Sequence, residues 1–168
     1  MSHGFDIVSR SRWGARQPRS RTTQNASNVQ ELFIHWPGAP GSLASINTPA
    51  EERAWMRATQ DFHMDTRGWS DFAYNYVVFR SGRIYAGRTF KVVPAAQEGH
   101  NTNTVAVCCV IGATDSISSA MKETLREVVR WAEKYAGHEL RVRAHRDVGS
   151  TTCPGPKLAA FVPSLDRV

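Results

Sequence analysis

The spacing of apolar residues changes period several times along this chain, and each change marks an element. VQELFIHW (29–36) is a short apolar run that predicts a strand ending at His35, and the Pro- and Gly-rich WPGAPGS after it predicts a loop. Thr48 then offers a side-chain cap, with Pro49 at the first helical position and Glu51 and Glu52 in the first turn. The helix they start runs through AEERAWMRATQDFHM to about residue 65, with Trp55, Met56, Thr59, Phe62 and His63 on one broad face. NYVVFRSGRIYAG predicts a hairpin of two strands around Ser81-Gly82. A polar loop containing GHNTNT separates it from TVAVCCVIG (104–112), whose near-continuous apolarity predicts a strand buried at the centre of a sheet. Helical spacing returns at Met121, Leu125, Val128, Val129 and Ala132, predicting a helix over 118–136 that Gly137 stops. LRVRAH (140–145) reads as a short strand, and a short helix follows Pro156.

Strands interleaved with helices predict an α/β fold: a single domain over 1–168, with a mixed central β-sheet of about five strands flanked by helices. Residues 1–28 are polar and rich in Arg, Ser and Thr, and predict an extended N-terminal arm packed on that domain with Trp13 as its anchor. Repeats and linkers are absent from the pattern.

Composition narrows the class. With 41% hydrophobic and 21% charged residues in 168, the chain can bury a real core as a soluble globular protein. No apolar run approaches the ~20 residues of a membrane helix, so no membrane partner is expected. The opening MSHGFDIVSRSRWGAR lacks the apolar centre of a signal peptide, which predicts synthesis in the cytoplasm and, for any action outside, another route of release. The net charge of +6 favours polyanions in general, anionic wall polymers among them, but the arginines are scattered and no nucleic-acid motif is present, so no nucleic acid partner is expected. Cys108 and Cys109 sit inside an apolar strand and read as core thiols rather than a disulfide framework.

Cys153 differs, because it lies in a Thr-, Pro- and Gly-rich loop where packing does not call for a thiol. It follows His145 by eight residues in HRDVGSTTCPG, and His35 ends a strand far upstream. Two neutral imidazoles and a thiolate suit Zn²⁺, and a set of three leaves a fourth tetrahedral position open, as catalytic rather than structural zinc sites do. Two of these donors end strand-like segments and the third lies in the loop after the second, so all three can converge on one sheet edge. An HRD triplet also occurs in protein kinases, but the Gly-rich loop and the Asn five residues after the Asp are absent here.

WSDFAYNYVVFRSGRIYAGR, with QDFHMDTRGW before it and HRDVGSTTCPG after it, resembles the type 2 N-acetylmuramoyl-L-alanine amidases, a family of phage endolysin-like and bacterial amidases and animal peptidoglycan recognition proteins. The resemblance covers residues 6 to 162, including the opening IVSRSRWGAR. It implies zinc held by His35, His145 and Cys153, and it implies cleavage, since members that bind without cleaving commonly lack the Cys. It puts the catalytic tyrosine on Tyr74 rather than Tyr76. Strand alternation points both side chains the same way, and Tyr74 is nearer the strand end and the metal edge. Phage members carry a Lys where this chain has Thr151, a hydroxyl donor without charge.

The implied reaction is water attack on an amide carbonyl at the metal, with Tyr74 and Thr151 as donors to the developing oxyanion. Asp147 reads as a support or partner of an arginine rather than as the base, and two routes stay open: an activated water that needs no base, or a proton relay through Tyr74. Groove candidates for the peptidoglycan (muropeptide) substrate are His100, Asn101, Trp36, His63, Trp69 and Arg88. The residue pair that follows the YEGR-like segment of recognition proteins is Thr89-Phe90 here and matches neither the diaminopimelate nor the lysine pattern. The expectation is thus a zinc-dependent hydrolase of the bond between N-acetylmuramic acid and L-alanine, a monomeric bacteriolytic phage endolysin or its catalytic domain acting on the cell wall after release. The alternatives are a non-hydrolytic peptidoglycan-binding module and a partner-binding regulator, the latter supported by nothing beyond basicity.

Overall fold

The run Thr104–Val110 (β5) is buried at all seven positions and lies inside a six-stranded sheet. In this computed structural model, which describes residues 6–166, β5 is preceded by β1 (Ile7–Val8), α1 (Arg10–Trp13), β2 (Glu31–His35), α2 (Pro49–Asp61), β3 (Tyr76–Phe79) and β4 (Ile84–Ala86). It is followed by α3 (Ser119–Ala136), β6 (Arg141–Ala144) and α4 (Pro156–Phe161). The strand order is β1-β4-β3-β5-β2-β6. β3, β5, β2 and β6 run parallel, β4 is antiparallel to β3, and β1 is parallel to β4. The sheet is mixed as expected, with one strand more than the pattern predicts. That strand, β1, is two residues long, too short for a period to show.

Alternation along the strands sorts the core into two layers. Leu32, Ile34, Tyr76, Val78, Val105, Val107 and Cys109 pack under α3. Val77, Phe79, Tyr85, Cys108 and Val110 face the other way, onto Trp13, Met56 and Phe72. α3 begins where the Ser118 hydroxyl accepts from the Met121 amide (3.1 Å) and ends at Gly137, whose φ of +85° is left-handed. Its stripe of Met121, Leu125, Val128, Val129 and Ala132 is fully buried, and each larger member contributes about 1.5–3 kcal/mol relative to exposure.

α2 starts at a capping box of Thr48 and Glu51, and the amides of Asn47 and Thr48 hold the Glu51 carboxyl below its ordinary pKa. The helical pattern predicts one helix to about residue 65, whereas the regular helix stops at Asp61 and continues as a π-helical turn, Phe62–Thr66. The extra residue in that turn shifts the register, so His63 is buried and Phe62, expected on the same face, is 45% exposed. α2 is tied to the β3–β4 hairpin through Glu52, which is fully buried and accepts from Ser81 Oγ (2.5 Å), Arg83 Nε (2.7 Å) and Tyr85 Oη (2.7 Å).

Where an extended arm is expected, residues 6–28 form β1, α1 and a 3₁₀ turn at Ala26–Asn28; Met1–Phe5 lie outside the described residues. Trp13 is the anchor of this segment, fully buried with its indole N–H donating to Ala86 O (2.7 Å). Among the described residues, no helix is long and apolar enough to cross a membrane.

Candidate metal centre and cleft

β2 and β6 are parallel neighbours with Ile34 opposite Ala144, so the next residues, His35 and His145, leave the same sheet edge side by side. Their ring centroids are 4.7 Å apart. His145 opens a 3₁₀ turn (His145–Asp147), and the loop after it returns Cys153 to the same edge through the Arg146 N–H bond to Cys153 O (2.9 Å). One donor atom from each of His35, His145 and Cys153 lies within 4.8 Å of the others. Gly155, next along the loop, has φ +85°, and a Cβ there would meet the Trp36 ring at 2.9 Å, so glycine is required where the loop turns under that ring.

The donor set fits a tetrahedral zinc. His35 Nδ1 is 3.6 Å from Cys153 Sγ, and bonds of about 2.0–2.1 Å to nitrogen and 2.3 Å to sulfur at a tetrahedral angle separate the two by about 3.6 Å. Burial lowers the His35 pKa to about 3, helped by the neighbouring His145 charge and opposed by Gln97, so the ring is neutral and able to ligate. Burial also lowers His145. The Cys153 thiol is pushed up to about 11 by burial, with the Trp36 N–H (3.4 Å from Sγ) pulling the other way, so a metal that binds the thiolate must displace its proton.

Gln97 has the second role at this centre, and sequence reasoning did not single it out. It is fully buried, and its Oε1 sits 2.8 Å from His35 Nε2. A glutamine Oε1 only accepts, so Nε2 carries the proton and Nδ1 is left facing Cys153. Gln97 Nε2 in turn donates to Thr104 Oγ1 (2.7 Å), which locks the amide's orientation. Of the two roles expected of Asp147, the structure shows the supporting one: its carboxylate accepts from Ala144 N (2.9 Å) and caps the turn that carries His145.

The tyrosines part company, contrary to strand alternation. Tyr76 begins β3 and packs under α3, edge-on to Trp131 at 5.2 Å. Tyr74 lies before the strand, on the opposite layer, its ring 5.3 Å from that of His35 and 5.9 Å from that of Phe72. The cause is local. Arg88 N donates to Tyr74 O and Gly87 N to Asn75 O, so two consecutive carbonyls face the same neighbour and the pleat is broken. Asn75, fully buried, holds that kink by donating to Thr89 O and Val92 O (2.7 Å each) and accepting from Ala106 N (2.7 Å). Burial, and then the sulfurs of Cys108 and Cys153, hold the Tyr74 hydroxyl well above its ordinary pKa, so it stays a donor.

Two depressions meet this edge. The larger, about 730 Å³, is lined among others by His145, Trp69, Asn101, Glu98, Ser150 and Thr151. The Thr151 hydroxyl accepts from the Cys153 amide (3.2 Å) and keeps its own proton to donate. The second, about 320 Å³, is lined by Trp55, Phe62, His63 and Tyr74. The His63 ring accepts from Ala73 N through Nδ1 (3.1 Å), and burial, followed by Arg67 and Arg88, lowers its pKa to about 4 against the pull of Asp71.

The substrate residues expected from sequence therefore divide. Trp69 and Asn101 line the larger cleft and His63 the smaller one, Asn101 also bracing the loop by accepting from the amides of Ala96 and Gln97 (3.1 Å each). Three lie elsewhere. Arg88 is buried with its guanidinium bound to Phe72 O (2.6 Å) and Val93 O (3.1 Å), Trp36 faces the Pro154–Gly155 loop, and the exposed His100 is not among the lining residues of either cleft.

Comparison with known proteins agrees with this picture. The family model described as N-acetylmuramoyl-L-alanine amidase (Amidase_2) matches residues 25–156. The chain is 32% identical over 160 residues to peptidoglycan-recognition protein SC2 of Drosophila simulans, covering 92% of this chain and 83% of that one. It is 31% identical over 156 residues to the human N-acetylmuramoyl-L-alanine amidase, covering 90% of this chain but only 27% of the longer human protein. Among solved structures it superposes on wild-type PGRP-LB of Drosophila with a TM-score of 0.85 at 29% identity, covering 95% of this chain and 93% of that one. A Tyr-to-Phe mutant of PGRP-LB in complex with tracheal cytotoxin superposes with a TM-score of 0.84 at 28% identity, covering 94% and 93%.

Proposed function

The chain belongs to the N-acetylmuramoyl-L-alanine amidase family, and from that premise we propose that it is a zinc-dependent hydrolase of the amide bond between N-acetylmuramic acid and L-alanine in bacterial peptidoglycan. The observation that carries the reading is the convergence of His35, His145 and Cys153 on the edge of an open cleft. Relatives named as amidases and a relative's structure in complex with tracheal cytotoxin support the substrate class.

Bound at these three donors, zinc supplies Lewis acidity and a water acidified toward neutral pH. The chain's own residues do the rest. Burial keeps His35 neutral, and Gln97 accepts its Nε2 proton so that Nδ1 is presented. Tyr74 Oη and Thr151 Oγ1 donate to the amide oxygen as it takes up negative charge, and the partial burial of Tyr74 strengthens that bond. Trp69 and Asn101 orient the stem peptide along the larger cleft. Water adds to the carbonyl carbon, the C–N bond breaks, and a proton passes to the alanine nitrogen. A carboxylate remains on the muramic acid and a free amino terminus on the peptide. We extend the proposal to the setting expected from sequence, lysis of a bacterial wall by a phage enzyme; its support is the sequence resemblance.

The test is hydrolysis of purified peptidoglycan with the products identified by mass spectrometry, before and after chelation. Expected are peptides with an N-terminal alanine, their loss on metal removal and their return with zinc. Cleavage that survives chelation would sink the reading. A non-hydrolytic module is the second reading, favoured by relatives named as recognition proteins. It predicts binding to the same material with no release of peptide even in excess zinc.

A further inference from the structure

Cys108 and Cys109 are neighbours in β5, and the structure sends them to opposite faces of the sheet. Cys109 packs under α3, whereas Cys108 belongs to the layer of Phe72 and Val77 against which Tyr74 packs. Cys108 is fully buried and stands opposite His35 of β2 and Val77 of β3. Opposite residues of parallel strands share a face, so its thiol lies on the side of the sheet that carries the His35 ring. The Tyr74 hydroxyl meets it there, Oη donating to the Cys108 sulfur. The reaction set out above makes no use of this thiol.

The rest of Tyr74 is already fixed. Its carbonyl accepts from Arg88 N (2.9 Å), and its ring is packed 5.3 Å from that of His35 and 5.9 Å from that of Phe72. What remains is rotation about the bond to the hydroxyl oxygen, and that torsion decides where the proton points. An oxyanion donor contributes most when it needs no reorganisation as charge develops. A thiol beside it suits both positions of the proton. At rest the sulfur is a weak acceptor, which holds the hydroxyl without competing with an oxyanion. Once the proton turns to the amide oxygen, the S–H group donates into Oη from behind, leaves no buried lone pair bare and polarises the donor. Resting on the amidase reading above, we propose that Cys108 is a positioning residue that holds the Tyr74 hydroxyl ready to donate to the amide oxygen.

The test uses the zinc-loaded protein and a synthetic N-acetylmuramoyl tripeptide. Cys108→Val, which fills the space without a hydrogen-bonding atom, is expected to lose about threefold to tenfold in kcat with KM and zinc content unchanged, the worth of one orienting hydrogen bond. Cys108→Ser, which donates and accepts as the thiol does, should stay close to the wild type. On a Tyr74→Phe background Cys108→Val should cost nothing more, because the hydroxyl it serves is gone. Equal kcat for the wild type and Cys108→Val overturns the proposal. So does a loss that persists on the Tyr74→Phe background, or one that Cys108→Ser shares in full. A second readout needs no turnover. In protein labelled with ¹³C at tyrosine Cζ, the Tyr74 signal is assigned by its loss in Tyr74→Phe. Cys108→Val should move that signal and Cys109→Ala should not, and an unmoved signal overturns the proposal. Should Cys108→Val not fold, Cys108→Ala carries the same expectations. If the amidase reading fails, no variant cleaves the tripeptide, and the Tyr74 signal alone still decides whether Cys108 holds the hydroxyl.

Discussion

A cysteine, a tyrosine and a glutamine at the metal edge each have a counterpart buried elsewhere against the same sheet. Cys109 and Tyr76 lie under α3 in the larger hydrophobic cluster, the Tyr76 hydroxyl bonded to the Phe90 backbone, and Gln24 bridges loops with its amide on Phe90 O (3.0 Å) and Thr104 O (2.8 Å). Cys153, Tyr74 and Gln97 are as well buried or nearly so, but they all gather around the His35 ring. What separates the two sets is convergence, not burial. Under α3 the polar atoms lie apart from one another, whereas at the metal edge one donor atom from each of His35, His145 and Cys153 lies within 4.8 Å of the others. His35 and His145 come from the carboxyl ends of parallel strands, where α/β sheets bind ligands, whereas Tyr74 and Gln97 reach them from the segments that precede β3 and β5.

Paired substitutions sharpen that contrast. The largest difference is expected for the cysteines. Cys153→Ser should lose more than about 100-fold in kcat/KM, beyond the range for residues that merely support a ligand, together with stoichiometric zinc by elemental analysis. Cys109→Ser should keep its zinc and its activity while unfolding at lower urea, by about 1–3 kcal/mol, because a hydroxyl is buried among apolar groups. Next come the tyrosines. Tyr74→Phe should lose about 100-fold in kcat with zinc content unchanged, the loss of one oxyanion donor. Tyr76→Phe should cost about 1 kcal/mol of stability and leave kcat alone. If both tyrosines affect kcat equally, the separation of the two layers is wrong as a functional division. The smallest catalytic contrast is between the glutamines. Gln97→Ala should weaken zinc about 10- to 100-fold in a chelator competition, whereas Gln24→Ala should change only the unfolding midpoint.

Much of this was legible along the chain because the relevant periods are local. Strand and helix spacings alone predict β2, β5, α3 and the hairpin, and the chemistry of His35, His145 and Cys153 names a metal before any geometry does. Position within the sequence failed at particular places. Alternation put Tyr74 with Tyr76, but the consecutive carbonyls of Tyr74 and Asn75 both accept from the Gly87–Arg88 segment and turn Tyr74 to the other layer. Arg88 reads as a groove cation, and its guanidinium is instead consumed by backbone carbonyls inside the fold.

The residue types and their spacing thus determined most of the elements, the α/β class and the candidate metal donors, since these follow from side-chain chemistry and from repeats of a few residues. The tertiary structure alone decided the tautomer of His35, set by a glutamine 62 residues away, and the face on which Tyr74 stands. Each of these depends on a hydrogen bond or an orientation between segments remote in the chain, and a local pattern carries no record of which remote partner will arrive.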